Sequence, residues 1–418
     1  MFCETAGGPK GNSRDHSDTK DRFPDKLAHH LVISDKINLV RLGPRGRGWV
    51  CEGGYIKRNS QLITVPRELI LDASIIELDT DFGNIVGPLR SAGLDDRGVL
   101  ALWYLLRRNS LQSSWGWYLS LLPSHYDLLT SHPLLSHERI PGTSIGLITD
   151  KMTNNISRQL KSIVSSIRQL DPENLILTMD KNALEEEWRL CHALVLSRSG
   201  LFDSVHYGTN WTDQPICILP GIDLVNHSDT PNARLVRLAD GSVQLMATRD
   251  IPPGEEITIS YWSSDENDSL SVEQVLFTFG FIGGLGRFLL PMISFDGADT
   301  DKRRALQRLV YVESKLSDQI SDEIHTDDVA SAVTYFAIQC MPEEALSRLT
   351  KVIVDEECVG ERSKAVIDGF RSAGRVALQS EIIEWREMVN GASISHPVLL
   401  KYQELLIDTI DSFLRDVS

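Results

Sequence analysis

Gly221-Ile222-Asp223-Leu224-Val225-Asn226-His227-Ser228 and, about thirty residues on, Gly254-Glu255-Glu256-Ile257-Thr258-Ile259-Ser260-Tyr261 are the stretches whose reading decides the fold. The first follows a short apolar run, Ile216 to Leu219, and turns at an Asn-His-Ser sequence in which asparagine can bond its own backbone. In the second, Ile257, Ile259 and Tyr261 share one face while Thr258, Ser260 and Trp262 share the other. That alternation predicts a strand with Tyr261 pointing inward at its end. Glu255 and Glu256, directly after Pro252-Pro253-Gly254, read as a strand start with one carboxylate in solvent, not as a paired acid/base site.

Working outward, Val243, Leu245 and Ala247 alternate with polar neighbours and predict another strand. Upstream, residues 38 to about 85 read as small strands with polar punctuation: Leu62, Ile63 and Val65 end at Pro66, and Leu69 to Leu71 end at Asp72. Residues 94–200 change to a helical period. Asp95 or Asp96 can cap a helix carrying Val99, Leu102, Trp103 and Leu106, and Ile156, Leu160, Ile163, Val164 and Ile167 repeat the spacing. From about 300 the pattern is helical to the end, as in the stripe Leu399, Tyr402, Leu406, Ile410 and Phe413. Glycine is dense before this last block and sparse within it, which places a boundary near 284–300.

With 418 residues and 42% hydrophobic residues the chain can bury sizeable cores in two or three domains. The net charge is −16, and residues 291–418 alone hold 14 Lys/Arg against 23 Asp/Glu. Such a surface repels phosphate backbones and suits basic polypeptides, so a protein target is expected and direct nucleic-acid binding is not. The six cysteines are scattered, without metal-ligand spacing; they read as free thiols, with no metal site. No apolar run nears the roughly 18 residues of a membrane span, and no signal-peptide core follows Met1. A cytoplasmic or nuclear protein, not bound to membrane and acting as a monomer, is the expectation. Residues 1–26, rich in Gly, Ser, Asp and Lys, read as a flexible tail.

Gly46-Arg47-Gly48-Trp49, then Asn226-His227-Ser228, then Gly254-Glu255-Glu256 with Tyr261, then Gly280-Phe281, occur in the order found in SET-domain methyltransferases. Trp117-Tyr118 with Leu122-Pro123, then Trp188, then Ser197-Arg198, make the chain resemble the Rubisco large-subunit methyltransferase-like branch. That resemblance implies an α+β fold: a SET domain over 27–290 with a pseudoknotted β core, a mainly helical insertion at about 86–200, and an all-α substrate-binding domain over 291–418. It implies S-adenosylmethionine as cofactor, and transfer of methyl groups to lysine in a non-histone protein, ribosomal or translational by family habit. A catalytically weak SET-fold binding module and a histidine-directed methyltransferase are the alternatives.

Each motif also has a bland reading. Gly-Arg-Gly is commonly a turn, since glycine permits positive φ; Asn-His-Ser can be structural; Tyr261 can be a core aromatic, Arg198 a solvated charge, and Phe279 and Phe281 simply core. The resemblance assigns the cofactor to Arg47, Gly48, Trp49, Arg198, Asp223, Asn226, His227, Tyr261 and Phe279. It makes Tyr261 the catalytic residue and lines the acceptor channel with Tyr261, Trp262, Phe279 and Phe281. Two positions depart from the pattern: Phe279 stands where many relatives carry tyrosine, and Trp262 where glycine is common. They bear on how many methyl groups are added and on which acceptor enters.

Overall fold

The computed structural model describes residues 27–261, 270–283 and 383–417, apart from positions 28, 44–45, 80–81, 111–112, 141–142, 202–215, 271 and 384–385. The expected tail at 1–26, Trp262, the boundary at 284–300 and most of the C-terminal helical region lie outside the described residues. Contacts divide the chain into two compact units. One comprises residues 1–75, 112–122 and 200–261; the other comprises 76–111, 123–199 and 262–418.

The first unit is built of short strands. They are β1 Val32–Ile33, β2 Ile37–Arg41, β3 Arg47–Cys51, β4 Gln61–Val65, β5 Leu71–Asp72, β6 Ser199–Leu201, β7 Ile216–Ile218, β8 Asn226–His227, β9 Ala233–Arg237, β10 Val243–Ala247 and β11 Thr258–Ile259. Among the described residues they form four small sheets, in the orders β1-β4-β10-β9, β2-β3, β5-β7-β6 and β11-β8. Val243, Leu245 and Ala247 of β10 are buried while Gln244 and Met246 are not, as the alternation predicts. Each buries enough apolar surface to contribute about 1.5–3 kcal/mol for the larger side chains. They join Leu39, Trp49, Ile63 and Ile257 in one core. Pro66 closes β4 as expected, but Leu69 is not in a strand. Arg67–Leu69 form a 3₁₀ turn, because Leu69 and Ile70 donate to the carbonyls of Pro66 and Arg67 before the chain extends again at β5.

The pairing of residues 254–259 positions the site. The Gly254 and Ile257 amides donate to Cys51 and Trp49 at 2.7 Å, and the Cys51 amide to Glu255 at 2.9 Å, so this segment lies antiparallel to β3. Its continuation, β11, pairs in parallel with β8, matching Thr258 to Asn226 and Ile259 to His227. One extended segment is thus held on one edge by residues 47–51 and on the other by 226–227. It is short: the strand ends at Ile259, Ser260 is exposed, and Tyr261 is half-buried just beyond it. Thr258, expected on the outer face, is buried, and its amide donates to the Asn232 side chain at 2.9 Å.

The second unit is helical, with α1 Asp96–Arg108, α2 Ser144–Leu170, α3 Lys181–Arg198, α4 Val272–Phe279 and α5 Pro397–Val417 as its main elements. Asp95 caps α1, accepting from Gly98 at 2.8 Å. Residues Gly98–Arg107 are all buried, so α1 is an interior helix rather than an amphipathic one. Arg108 pairs with Glu187 of α3 at 2.8 Å, and the Trp188 indole of α3 donates to the Ile156 carbonyl of α2 at 2.9 Å. On α5, Leu399, Tyr402, Leu406 and Ile410 are buried against Ile140, Ile145, Val272 and Leu276, following the predicted stripe. The Phe413 side chain lies outside the described residues. No described helix is long and apolar enough to cross a membrane.

Candidate active site

The first unit brings Arg47, Gly48, Trp49, Asp223, Asn226, His227 and Tyr261 together. Asn226 is the hub. Its side-chain amide donates to the Arg47 carbonyl at 3.3 Å and to the Glu256 carboxylate at 2.7 Å, linking β8 to both β3 and the 254–259 segment. Gly48 sits between these groups. A Cβ there would lie 2.5 Å from Leu42, 2.7 Å from the Asn226 amide nitrogen and 2.9 Å from Glu256. Glycine is required here by close approach and not by a positive φ; the left-handed residue of the motif is Gly46, at φ 74°. The Trp49 ring is fully buried, and its N–H donates to the Gly221 carbonyl at 2.8 Å, so the indole ties β3 to the turn while only its backbone borders the site.

Arg47 donates through Nη1 to the Leu121 carbonyl at 2.7 Å. Asp223 is engaged on both oxygens: Oδ1 accepts from the Gly221 amide at 2.9 Å and Oδ2 from the Tyr118 hydroxyl at 2.8 Å. Its carboxylate therefore sets the shape of the turn, where Gly221 adopts φ 85°. Tyr118 and Leu121 belong to the Trp117-Tyr118 segment, whose place in this unit explains why that phrase accompanies the distant Asn-His-Ser turn.

His227 Nδ1 accepts the Tyr261 backbone N–H at 3.1 Å, so that nitrogen carries no proton and Nε2 donates to Asp229 at 3.1 Å. Burial lowers the pKa of the imidazole below 6.5, outweighing the opposing effect of Asp229. His227 is thus a neutral strut beneath Tyr261; the two rings lie 5.3 Å apart at 49°. The Tyr261 hydroxyl donates to the Val225 carbonyl at 2.8 Å. Ionisation would set a phenolate against that carbonyl oxygen, so this arrangement favours the neutral phenol.

Both glutamates have partners, and Glu255, in an exposed pair with Arg249, is the one that reaches solvent as expected. Arg249 clamps Glu255, with Nη1 at 3.1 Å from Oε2, and this hydrogen bonding holds the carboxyl below the usual range. Two residues not expected in the site complete the frame. Glu256, read from the sequence only as a strand start, is one; the other is Asn232, whose amide donates to Glu255 Oε1 at 2.9 Å and to the Glu256 carbonyl at 2.7 Å. Asn232 is buried, and nothing in Thr230-Pro231-Asn232 distinguishes it from a turn asparagine.

Three other expected site residues lie in the helical unit. Arg198 ends α3, and Phe279 and Phe281, with ring centroids 6.1 Å apart, follow one another at the end of α4. Both phenylalanines are half-buried, so neither is a plain core side chain. Trp262 lies outside the described residues.

Residues 56–262 match the family model of the SET domain. "SET domain-containing protein 8" of Schizosaccharomyces pombe is 32% identical over 104 residues, which is 23% of each chain. The actin-histidine N-methyltransferase of Canis lupus familiaris is 24% identical over 415 residues, covering 95% of this chain and 64% of its own length. The chain thus spans less than two thirds of either curated relative. Among solved structures, Rubisco LSMT bound to AdoMet superposes with a TM-score of 0.60 at 15% identity, covering 94% of this chain and 91% of that one. The LSMT SET domain bound to lysine and AdoHcy gives 0.58 at 12% identity, covering 96% and 92%. The ordered motifs, the strand pairing around Asn226 and these matches agree: residues 56–262 are a SET domain, and the chain has the α+β fold of the Rubisco LSMT structures.

Proposed function

We propose that this protein is an S-adenosylmethionine-dependent protein N-methyltransferase, and that its acceptor is a lysine of a non-histone protein. The observation that carries the reading is the joint placement of Gly48, Asn226 and Tyr261 by three segments remote in sequence. The residues fit the cofactor: a glycine that keeps the β3 backbone free of a side chain beside Asn226, the Asn226 side-chain amide, and backbone donors and acceptors along β3 and β8. Arg47, Gly48, Asn226 and His227 would hold its amino-acid end. When bound there, the cofactor supplies an electrophilic methyl group on a sulfonium. Rubisco LSMT structures with AdoMet or AdoHcy support this choice of ligand.

The chain's residues then have three tasks. Tyr261, with its proton committed to Val225, offers lone pairs that accept a hydrogen bond from an amine N–H and so orient it. His227 fixes the Tyr261 backbone. The surroundings must also favour a neutral amine, because a lysine ammonium, with a reference pKa of about 10.4, has no lone pair. Desolvation and a nearby sulfonium both lower that pKa, so no histidine base is required.

A histidine acceptor is the second reading, favoured by the actin-histidine relative that aligns along nearly the whole chain. Neutral imidazole, with a reference pKa near 6.5, needs less help to lose its proton. A binding module without catalysis is the third. The net charge of −16 favours a basic target segment; a ribosomal or translation protein in the cytosol or nucleus is the proposed setting. The test is methyl transfer to proteome extract with labelled cofactor, followed by mass spectrometry of the modified peptide. Label on lysine Nζ supports the first reading and label on a histidine ring the second. Cofactor binding without transfer to any extract supports the binding module.

A further inference from the structure

The hydrogen bonds around Asn226 determine which way its amide points. Both neighbours on its Nδ2 side, the Arg47 carbonyl at 3.3 Å and the Glu256 carboxylate at 2.7 Å, are acceptors only. Rotating the amide by 180° would set Oδ1 against two oxygens. The carboxylate makes that flip the costlier, since its hydrogen bond to Nδ2 is charge-assisted. Asn226 is therefore held as an acceptor toward any ligand, and what holds it is a residue on a different segment.

We propose that Glu256 is a positioning residue: it locks the Asn226 amide so that Oδ1 is presented to the α-ammonium of the cofactor, and it thereby sets the site's affinity for the amino-acid end of that molecule. The inference rests on the cofactor reading above and adds to it a residue that touches no reacting atom. Gly48 belongs to the same lock, because a Cβ there would meet both the Asn226 nitrogen and Glu256 Oε1. The negative charge of Glu256 also favours a cationic ligand group nearby.

The experiment measures dissociation constants by calorimetry for two probes, S-adenosylhomocysteine and 5′-methylthioadenosine, which lacks the amino-acid end. It compares the full-length protein with Glu256→Gln and Glu256→Ala, each checked for folding by thermal melting. Glutamine can still accept from Nδ2 through its own carbonyl, so Glu256→Gln is expected to bind S-adenosylhomocysteine within about threefold of wild type. Glu256→Ala is expected to lose at least tenfold for that probe and nothing for 5′-methylthioadenosine. If Glu256→Ala does not fold, Glu256→Asp, one methylene shorter, carries the same comparison with an expected loss of at least fivefold. Equal losses for both probes would mean a general structural role, and no loss for either would mean no role; each overturns the proposal while leaving the cofactor reading intact. Failure of the wild-type protein to bind either probe overturns the cofactor reading and the positioning role with it.

Discussion

The Tyr261 hydroxyl donates to the Val225 carbonyl at 2.8 Å, across the same turn whose histidine accepts the Tyr261 amide. Tyr261→Phe removes the donor and leaves the ring. The expected outcome is a fall in methyl transfer of at least about 100-fold from lost orientation of the acceptor. Cofactor affinity stays within about threefold, and stability falls by only about 1 kcal/mol for the lost hydrogen bond. Single-turnover transfer and calorimetry on the same preparation check both halves.

Gly48→Ala introduces a Cβ where Leu42, Asn226 and Glu256 already converge within 3 Å. Overpacking of this kind costs about 1–3 kcal/mol. Urea denaturation is expected to show that loss. Cofactor titration is expected to show weaker binding even under conditions where the variant is fully folded, because the neighbours that must give way are those of the site.

Asn232→Asp replaces a buried amide that serves Glu255, the Glu256 carbonyl and the Thr258 amide with a carboxylate. An acceptor then faces two acceptors, one of them charged, and a loss of about 3 kcal/mol is expected. Arg249→Ala removes the half-exposed partner of the same Glu255 and is expected to cost under about 1 kcal/mol. Denaturation midpoints of the two variants, read side by side, distinguish frame from surface.

His192 in the helical unit is buried edge-on against Trp188, and neither ring nitrogen has a hydrogen-bond partner among the described residues. Burial pushes its pKa down from 6.5 to about 3. Because the folded value is the lower one, stability is complete above about pH 6.5 and is lost as the pH falls toward 3. The loss is roughly 1.4 kcal/mol per pH unit over that window. Melting temperature measured from pH 7 to pH 4 is expected to fall accordingly, with His132, pushed to about 4, adding to the slope. His192→Leu is expected to cost under about 1.5 kcal/mol at pH 7 and to flatten the dependence.

What could be read in the sequence was whatever leaves a local trace. Alternation along β10, the Asp95 cap and the α5 stripe each follow from side-chain periods or from one hydrogen bond near in sequence. The relations that make the site do not. Glu256 reads as a strand-starting surface acid until Asn226 is found beside it, and Asn232 reads as a turn residue until three groups from residues 255–258 are found around it. Gly48 was legible as glycine, but the reason for it was not: the space it leaves belongs to three other side chains, two of them remote in sequence. A one-dimensional pattern records burial and turning; it does not record which polar atom on a remote segment completes a buried one.

The segment held by β3 on one edge and β8 on the other has a kinetic consequence. Its pairings reach back about two hundred residues to Cys51 and about thirty to Asn226, so the site exists only after both loops have closed. Contacts of such separation are reached late, because chain entropy is lost before they are rewarded. No nascent chain can acquire this site until residue 261 has been synthesised and has found its place, and a fragment that omits any one of the three segments lacks it altogether.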